Sequence, residues 1–206
     1  MWHMYQAQRL SRSEFVPVRT LNYHVRIWGK PVPGAAPLVL LHGWMDVAAS
    51  FQFVVDALAA EHFIIAPDWR GFGLTDSGGV DCFWYQDYLA DLDALLDHYA
   101  SDMPVNLVGH SMGANVAMLY AGVRPKRVRR LINLEGFGLP ATQAVQATAH
   151  YGQWMDQLRQ LHTGHLHVKT YASLKAVAAR LMKTNKRLSP DKADWLAGHW
   201  SAELSP

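Results

Sequence analysis

The sequence predicts an α/β fold: a mostly parallel sheet with flanking helices, followed by a helical region. Three observations predict it. Short continuous apolar runs recur at Leu38-Val39-Leu40-Leu41, Phe63-Ile64-Ile65-Ala66, Val105-Asn106-Leu107-Val108 and Leu131-Ile132-Asn133-Leu134, the pattern of strands buried on both faces. Segments with helical spacing lie between them. After Pro140 the strand signals stop. Strands that alternate with helices join in parallel through right-handed crossovers, and such sheets bind ligands at the carboxyl ends of their strands.

Each element follows from its own pattern. Leu21 to Trp28 alternates, with Tyr23, Val25 and Ile27 on one face of a strand. The turn-rich stretch Gly29 to Pro37 breaks the chain before Leu38. Ser50 to Ala60 places Phe51, Val54, Val55 and Leu58 at helical spacing, and Pro67 closes the strand 63–66 ahead of a Gly-rich loop, Asp68 to Gly79. Trp84 to Tyr99 reads as a helix with Tyr85, Tyr88, Leu89, Leu92, Leu95, Leu96 and Tyr99 on one stripe. Asp87, Asp91, Asp93 and Asp97 fall mostly on its other side and read as a solvated face. Met112 to Gly122 is a third helix. The chain from Ala141 to Leu204 reads as mostly helical, and Ser189-Pro190-Asp191 as a helix start with Ser at the cap and Pro at the first position. Residues 1–139 are therefore expected to form the core and 140–206 a separate helical region.

Composition removes several function classes. With 206 residues, half of them hydrophobic and 17% charged, the chain can bury a sizeable core and is not a disordered protein. A net charge of +2 from 19 basic and 17 acidic residues is too balanced for nucleic acid or an anionic membrane as the main partner. The single Cys82 excludes an internal disulfide framework and a Cys-only metal site. No apolar stretch reaches the roughly 18 residues of a membrane span, and Met1 to Ser13 lacks a signal-peptide core. The expectation is a cytoplasmic, enzyme-like protein with a small-molecule substrate and no cofactor.

The chemistry concentrates in Gly109-His110-Ser111-Met112-Gly113, a G-x-S-x-G pattern between a buried strand and a helix. A strand that turns sharply into a helix holds its central residue in a strained conformation and pushes the Ser111 oxygen outward. Small residues at Gly109 and Gly113 allow neighbouring backbone to approach. The serine also meets a helix N-terminus, where free N–H groups favour developing negative charge. Its alternative is a structural serine in a tight turn. An oxyanion needs two donors aimed at one point. The N–H of Met112 supplies one, and the N–H of Trp44, after Leu41-His42-Gly43, the other, with Gly43 permitting the geometry. His42 reads as a histidine that props the loop rather than as a base, and His110 as packing.

Leu40-Leu41-His42-Gly43-Trp44, Asp68-Trp69-Arg70-Gly71-Phe72-Gly73 and Gly109-His110-Ser111-Met112-Gly113 resemble, in order and spacing, the α/β-hydrolase fold superfamily. Within it the chain looks like the serine hydrolase-like proteins, relatives of the epoxide hydrolase and haloalkane dehalogenase group. Leu181-Met182-Lys183-Thr184-Asn185 and Leu188-Ser189-Pro190 resemble that group's helical cap. Epoxide hydrolases and dehalogenases carry aspartate at the nucleophile position, so Ser111 points to acyl transfer instead. The resemblance implies a base histidine after the last strand of the fold and an acid after a later strand. The sequence stops inside the cap-like region, and these strands have no counterpart in it.

Substitutes are few. Glu135 directly follows the strand ending at Leu134 and is the candidate orienting acid; its alternative is a loop carboxylate or a contact at the cap hinge. His150 or His199 as base requires a fold-back, and His162, His165 and His167 lack the helical i, i+4 spacing of a metal pair and read as a solvated loop. Asp68 reads as a loop-fixing residue, Asp46 lies near a strand end, and the basic run Arg124, Lys126, Arg127, Arg129 and Arg130 reads as a solvated connection. Trp44, Phe72, Trp84, Phe137 and Trp154 either line an apolar acyl pocket or belong to the core. Two functions follow: an esterase-like serine hydrolase of low activity, or a non-catalytic remnant that binds a ligand or partner. A sheet ending at the strand 131–134 exposes an edge, so homo-oligomers through that edge are expected.

Overall fold

The computed structural model describes residues 5–138, 141, 143–165 and 169–202. Six strands form one mixed sheet in the order β1-β2-β4-β3-β5-β6: β1 (Arg12–Val18), β2 (Leu21–Trp28), β3 (Leu38–Leu41), β4 (Ile64–Pro67), β5 (Val105–His110) and β6 (Val128–Leu134). β1, β2 and β4 pair antiparallel, whereas β4, β3, β5 and β6 run parallel. The helices are α1 (Gln52–Ala57), α2 (Tyr85–Ala100), α3 (Met112–Val123), α4 (Ala147–His162), α5 (Leu174–Thr184) and α6 (Pro190–Trp200). The parallel α/β reading therefore holds.

Burial explains the layering. One face of the sheet, with Tyr23, Val25, Ile27, Val39, Leu41, Ile65 and Leu107, packs on the α2 stripe of Leu92, Leu95 and Leu96 and on Val116 and Tyr120 of α3. The opposite face buries Trp28, Leu40, Ile64 and Ala66 against Phe51 and Val55. α5 and α6 form a pair whose apolar faces, Val177, Leu181, Ala193 and Leu196, close on each other and on Phe53.

The structure departs from the sequence reading at five places. β1 gave no clear strand signal because it is an edge strand: only Val16 and Val18 are buried, and Pro17, which has no N–H to donate, is tolerated there. The helix expected over 50–60 is a 3₁₀ turn, Ala48–Phe51, followed by α1 alone. It stops early because Arg9 takes the carbonyls of Val55, Leu58 and Ala60 at 3.1, 2.7 and 2.9 Å, which pins the N-terminal segment over the helix end. The run 131–134 is not a buried strand. It lies within β6, the sheet's edge, where Leu131, Ile132 and Leu134 are exposed. The α2 carboxylates are not simply a solvated face: Asp91 is completely buried, and Arg70 grips it at 2.6 and 2.7 Å. The basic run is not only a connection either. Arg129 and Arg130 belong to β6, and Arg127 caps α2 by donating to the carbonyls of Ala100 and Ser101 at 2.9 and 2.8 Å. α6 begins at Pro190 after Ser189, as the sequence suggests.

Candidate active site

The parallel strands β3, β4, β5 and β6 bring Gly43, Asp68, Ser111 and Glu135 to the carboxyl end of the sheet. Ser111 joins β5 to α3 with φ 51° and ψ −115°, a region that non-glycine residues enter only under constraint. The surrounding structure supplies that constraint. The Ser111 N–H donates to the Leu134 carbonyl at 2.8 Å, and its own carbonyl accepts from Ala114 and Asn115, both at 3.1 Å. A side chain at Gly113 would collide with the carbonyl oxygens of Leu41 and His42, so α3 approaches β3 only because that residue has none. The Met112 N–H lies in the first turn of α3, where it has no intrahelical acceptor.

The loop after β3 closes on the serine. A Cβ on Gly43 would stand 3.2 Å from Ser111 Cβ and 3.1 Å from His110 Nδ1, which places the backbone leading into Trp44 against the elbow. The Trp44 ring is exposed and meets Phe72 edge-on at 5.2 Å. Behind the loop His42 is fully buried. Its Nε2 accepts the Trp69 N–H at 2.9 Å, so Nδ1 carries the proton and donates to the Gly43 carbonyl at 2.8 Å. Burial lowers the pKa of His42, which keeps it neutral. With both ring nitrogens engaged, His42 is a strut for this loop.

Asp68 anchors the neighbouring loop: its carboxylate accepts the Ala48 N–H at 2.7 Å and the Leu74 N–H at 3.0 Å. Glu135 follows β6 in the left-handed region, φ 61°. The turn is held by Asn133, whose side chain donates to the Gly136 carbonyl and accepts its N–H, both at 2.7 Å. The Glu135 carboxylate is exposed and lies 4.0 Å from His110 Nε2. His110, read from sequence as packing, is thus the imidazole that faces the candidate acid; its position next to Ser111 was the signal for it.

The remaining candidates disperse. His162 ends α4 and meets Asp81 at 2.7 Å, His165 pairs with Thr163, and His167 lies outside the described residues. Among the described residues no cluster of three or more His, Cys, Asp or Glu side chains is placed to hold a metal, and no helix is long and apolar enough to cross a membrane. Trp84 and Trp154 approach to 6.3 Å, whereas Phe137 is almost wholly exposed. Asp46 fixes the loop after Trp44 by accepting the Val47 N–H at 2.8 Å.

A parallel sheet that presents a strained serine between strand and helix, opposite a glycine-hinged loop, defines the α/β-hydrolase class of fold. Residues 36–204 match the family model described as alpha/beta hydrolase fold, and the chain belongs to that family. It is 27% identical over 191 residues to a serine hydrolase-like protein of Danio rerio, an alignment that covers 91% of this chain and 58% of that one. It is 32% identical over 135 residues to the 2-hydroxymuconate semialdehyde hydrolase of a Pseudomonas species, covering 61% of this chain and 46% of the relative. The thioesterase domain from the curacin biosynthetic pathway superposes with a TM-score of 0.79 at 26% identity, covering 92% of this chain and 65% of that one. The chain thus spans less than two thirds of the length of each.

Proposed function

We propose that this protein is a serine hydrolase that acts on an ester-like carbonyl substrate through an acyl-enzyme on Ser111. The observation that carries the reading is the positive φ of Ser111 at the start of α3. A serine held there against Gly43 has its oxygen directed past the end of the sheet. In this reading Ser111 Oγ attacks the carbonyl carbon, and the N–H groups of Met112 and Trp44 receive the oxyanion. His42 and Gly43 keep the Trp44 backbone in place. Glu135 is the acid of the site. Relatives named as hydrolases and a neighbour named as a thioesterase support a carbonyl substrate.

Turnover by this chain is expected to be low. Among the described residues no histidine hydrogen-bonds to the Ser111 hydroxyl: His42 is engaged on both nitrogens and His110 faces Glu135. A positioned base contributes about 10²–10⁴ in rate, and without it only binding and the oxyanion donors remain. A serine-directed alkyl fluorophosphonate tests the reading. Labelling of the Ser111 peptide in the wild type, lost in Ser111→Ala, is the expected result; a wild type unlabelled at Ser111 overturns it.

A further inference from the structure

Away from the elbow, a second serine, histidine and aspartate stand in hydrogen-bonded sequence. Ser13 lies on β1 and is exposed, His24 lies on β2 and is buried, and Asp68 follows β4. His24 Nδ1 is 2.7 Å from Asp68 Oδ2, and His24 Nε2 is 2.9 Å from Ser13 Oγ. Burial alone would raise the pKa of Asp68, but the hydrogen bond from His24 and the Leu74 and Ala48 N–H groups outweigh it and hold the carboxyl below its ordinary value. An ionised Asp68 accepts, so His24 Nδ1 carries the proton. In the neutral imidazole His24 Nε2 offers its lone pair, and the Ser13 hydroxyl is the donor. Acid, imidazole and hydroxyl in this order make a serine oxygen nucleophilic, whatever fold presents them.

Two further features separate this arrangement from a simple strut. β1 is already held by a ladder of seven residue pairs from Arg12↔Ile27 to Val18↔Leu21, so the Ser13 side chain is not needed to fix the strand. Ser13 pairs directly with Arg26, which puts a guanidinium on the same face of the sheet. One of its amino groups donates to Ser11 Oγ at 2.8 Å, and its Nε is buried without a hydrogen-bond partner among the described residues.

We propose that Ser13, His24 and Asp68 form a second reactive serine site that takes small, activated acyl or phosphonyl groups at the protein surface. With an aryl ester, Ser13 Oγ forms the new bond to the carbonyl carbon while its proton passes to His24 Nε2. The oxyanion develops on the side of Arg26. Collapse breaks the bond to the aryl oxygen, which leaves with the proton returned by His24. The exposed position of Ser13 offers no deep pocket, so the chemical class is set by the reactivity of the acyl group rather than by its shape.

The test uses the full chain carrying Ser111→Ala, so that its outcome is independent of the elbow. After incubation with an alkyl fluorophosphonate, adducts are mapped by peptide mass. Ser13 should be labelled and the exposed Ser77, which has no imidazole partner among the described residues, should not. His24→Gln should slow labelling at Ser13 by at least about tenfold, since base assistance is worth about 10²–10⁴ in rate. Because that variant also removes a partner of Asp68, a second comparison stands beside it: Ser13→Cys should react with iodoacetamide at least about tenfold faster than Ser77→Cys. An unlabelled Ser13 in a protein with a normal melt, or equal alkylation of the two cysteine variants, overturns the proposal.

Discussion

Ser111 keeps its unfavourable backbone because two glycines let main chain pack where side chains cannot. At Gly113 the obstacle to any Cβ is the backbone of β3, which cannot swing aside as a side chain would. Gly113→Ala should therefore lower stability by about 1–3 kcal/mol, the usual cost of overpacking, and should move the elbow away from Gly43. Urea unfolding checks the first part, and loss of fluorophosphonate labelling at Ser111 checks the second. His42 yields a pH prediction. Its folded pKa lies below the ordinary 6.5 because burial disfavours the cation. Below 6.5 the unfolded chain takes up the proton more readily than the folded one, so stability is fully present above that value and is lost as pH falls. Asp68, also held low, adds its loss further down, below the ordinary carboxylate range. Melting temperatures across pH 7.5 to 2.5 should fall in that order, and His42→Asn should flatten the upper part of the fall.

At the scale of elements, α2 is docked by charge as well as by its apolar stripe. Arg70 reaches from the loop after β4 to Asp91, Tyr23 donates to the same carboxylate at 2.8 Å, and Arg19 adds a contact at 3.1 Å. Asp91→Ala would take from the nearly buried Arg70 guanidinium its bidentate partner and leave it only Asp87, at 3.6 Å. The expected loss is up to about 3–5 kcal/mol, read by urea unfolding, because breaking one side of a buried pair leaves a poorly compensated charge. This network also marks the limit of what the sequence makes legible. The stripe Tyr88, Leu92, Leu95 and Leu96 could be read because helical period alone decides it. Asp91 could not, because its burial depends on a tyrosine 68 positions away in the chain and on an arginine in a loop. The same contrast holds at the site. Ser111, Gly43 and Trp44 were legible because local motifs at strand ends specify them. The Ser13–His24–Asp68 arrangement was not, since its members come from three elements whose pairing only the sheet register reveals.

For the molecule as a whole, we expect β6 to govern self-association of this chain. Among the described residues it pairs with β5 on one side only, and Leu131, Ile132 and Leu134 are 37%, 53% and 43% exposed. On the sheet face beside it, Leu38, Asn106, Val108, Arg130 and Ile132 line a shallow apolar groove, and Asn106 Oδ1 lies buried there without a partner among the described residues. An unpaired apolar edge is a template for another strand. A second copy fits it by symmetry: in an antiparallel two-fold pairing centred on Leu131, Arg129 falls opposite Asn133, Arg130 opposite Ile132, and Val128 opposite Leu134, so no like charges face each other. Light-scattering mass across a concentration series should therefore rise above the 23.1 kDa of one chain. Ile132→Lys sets a lysine against Arg130 of the other copy and should return the protein to monomer while leaving its melt intact, because the position is exposed in the single chain. A wild type that stays monomeric at every concentration, or an Ile132→Lys variant that associates as strongly, would show that β6 is not the contact.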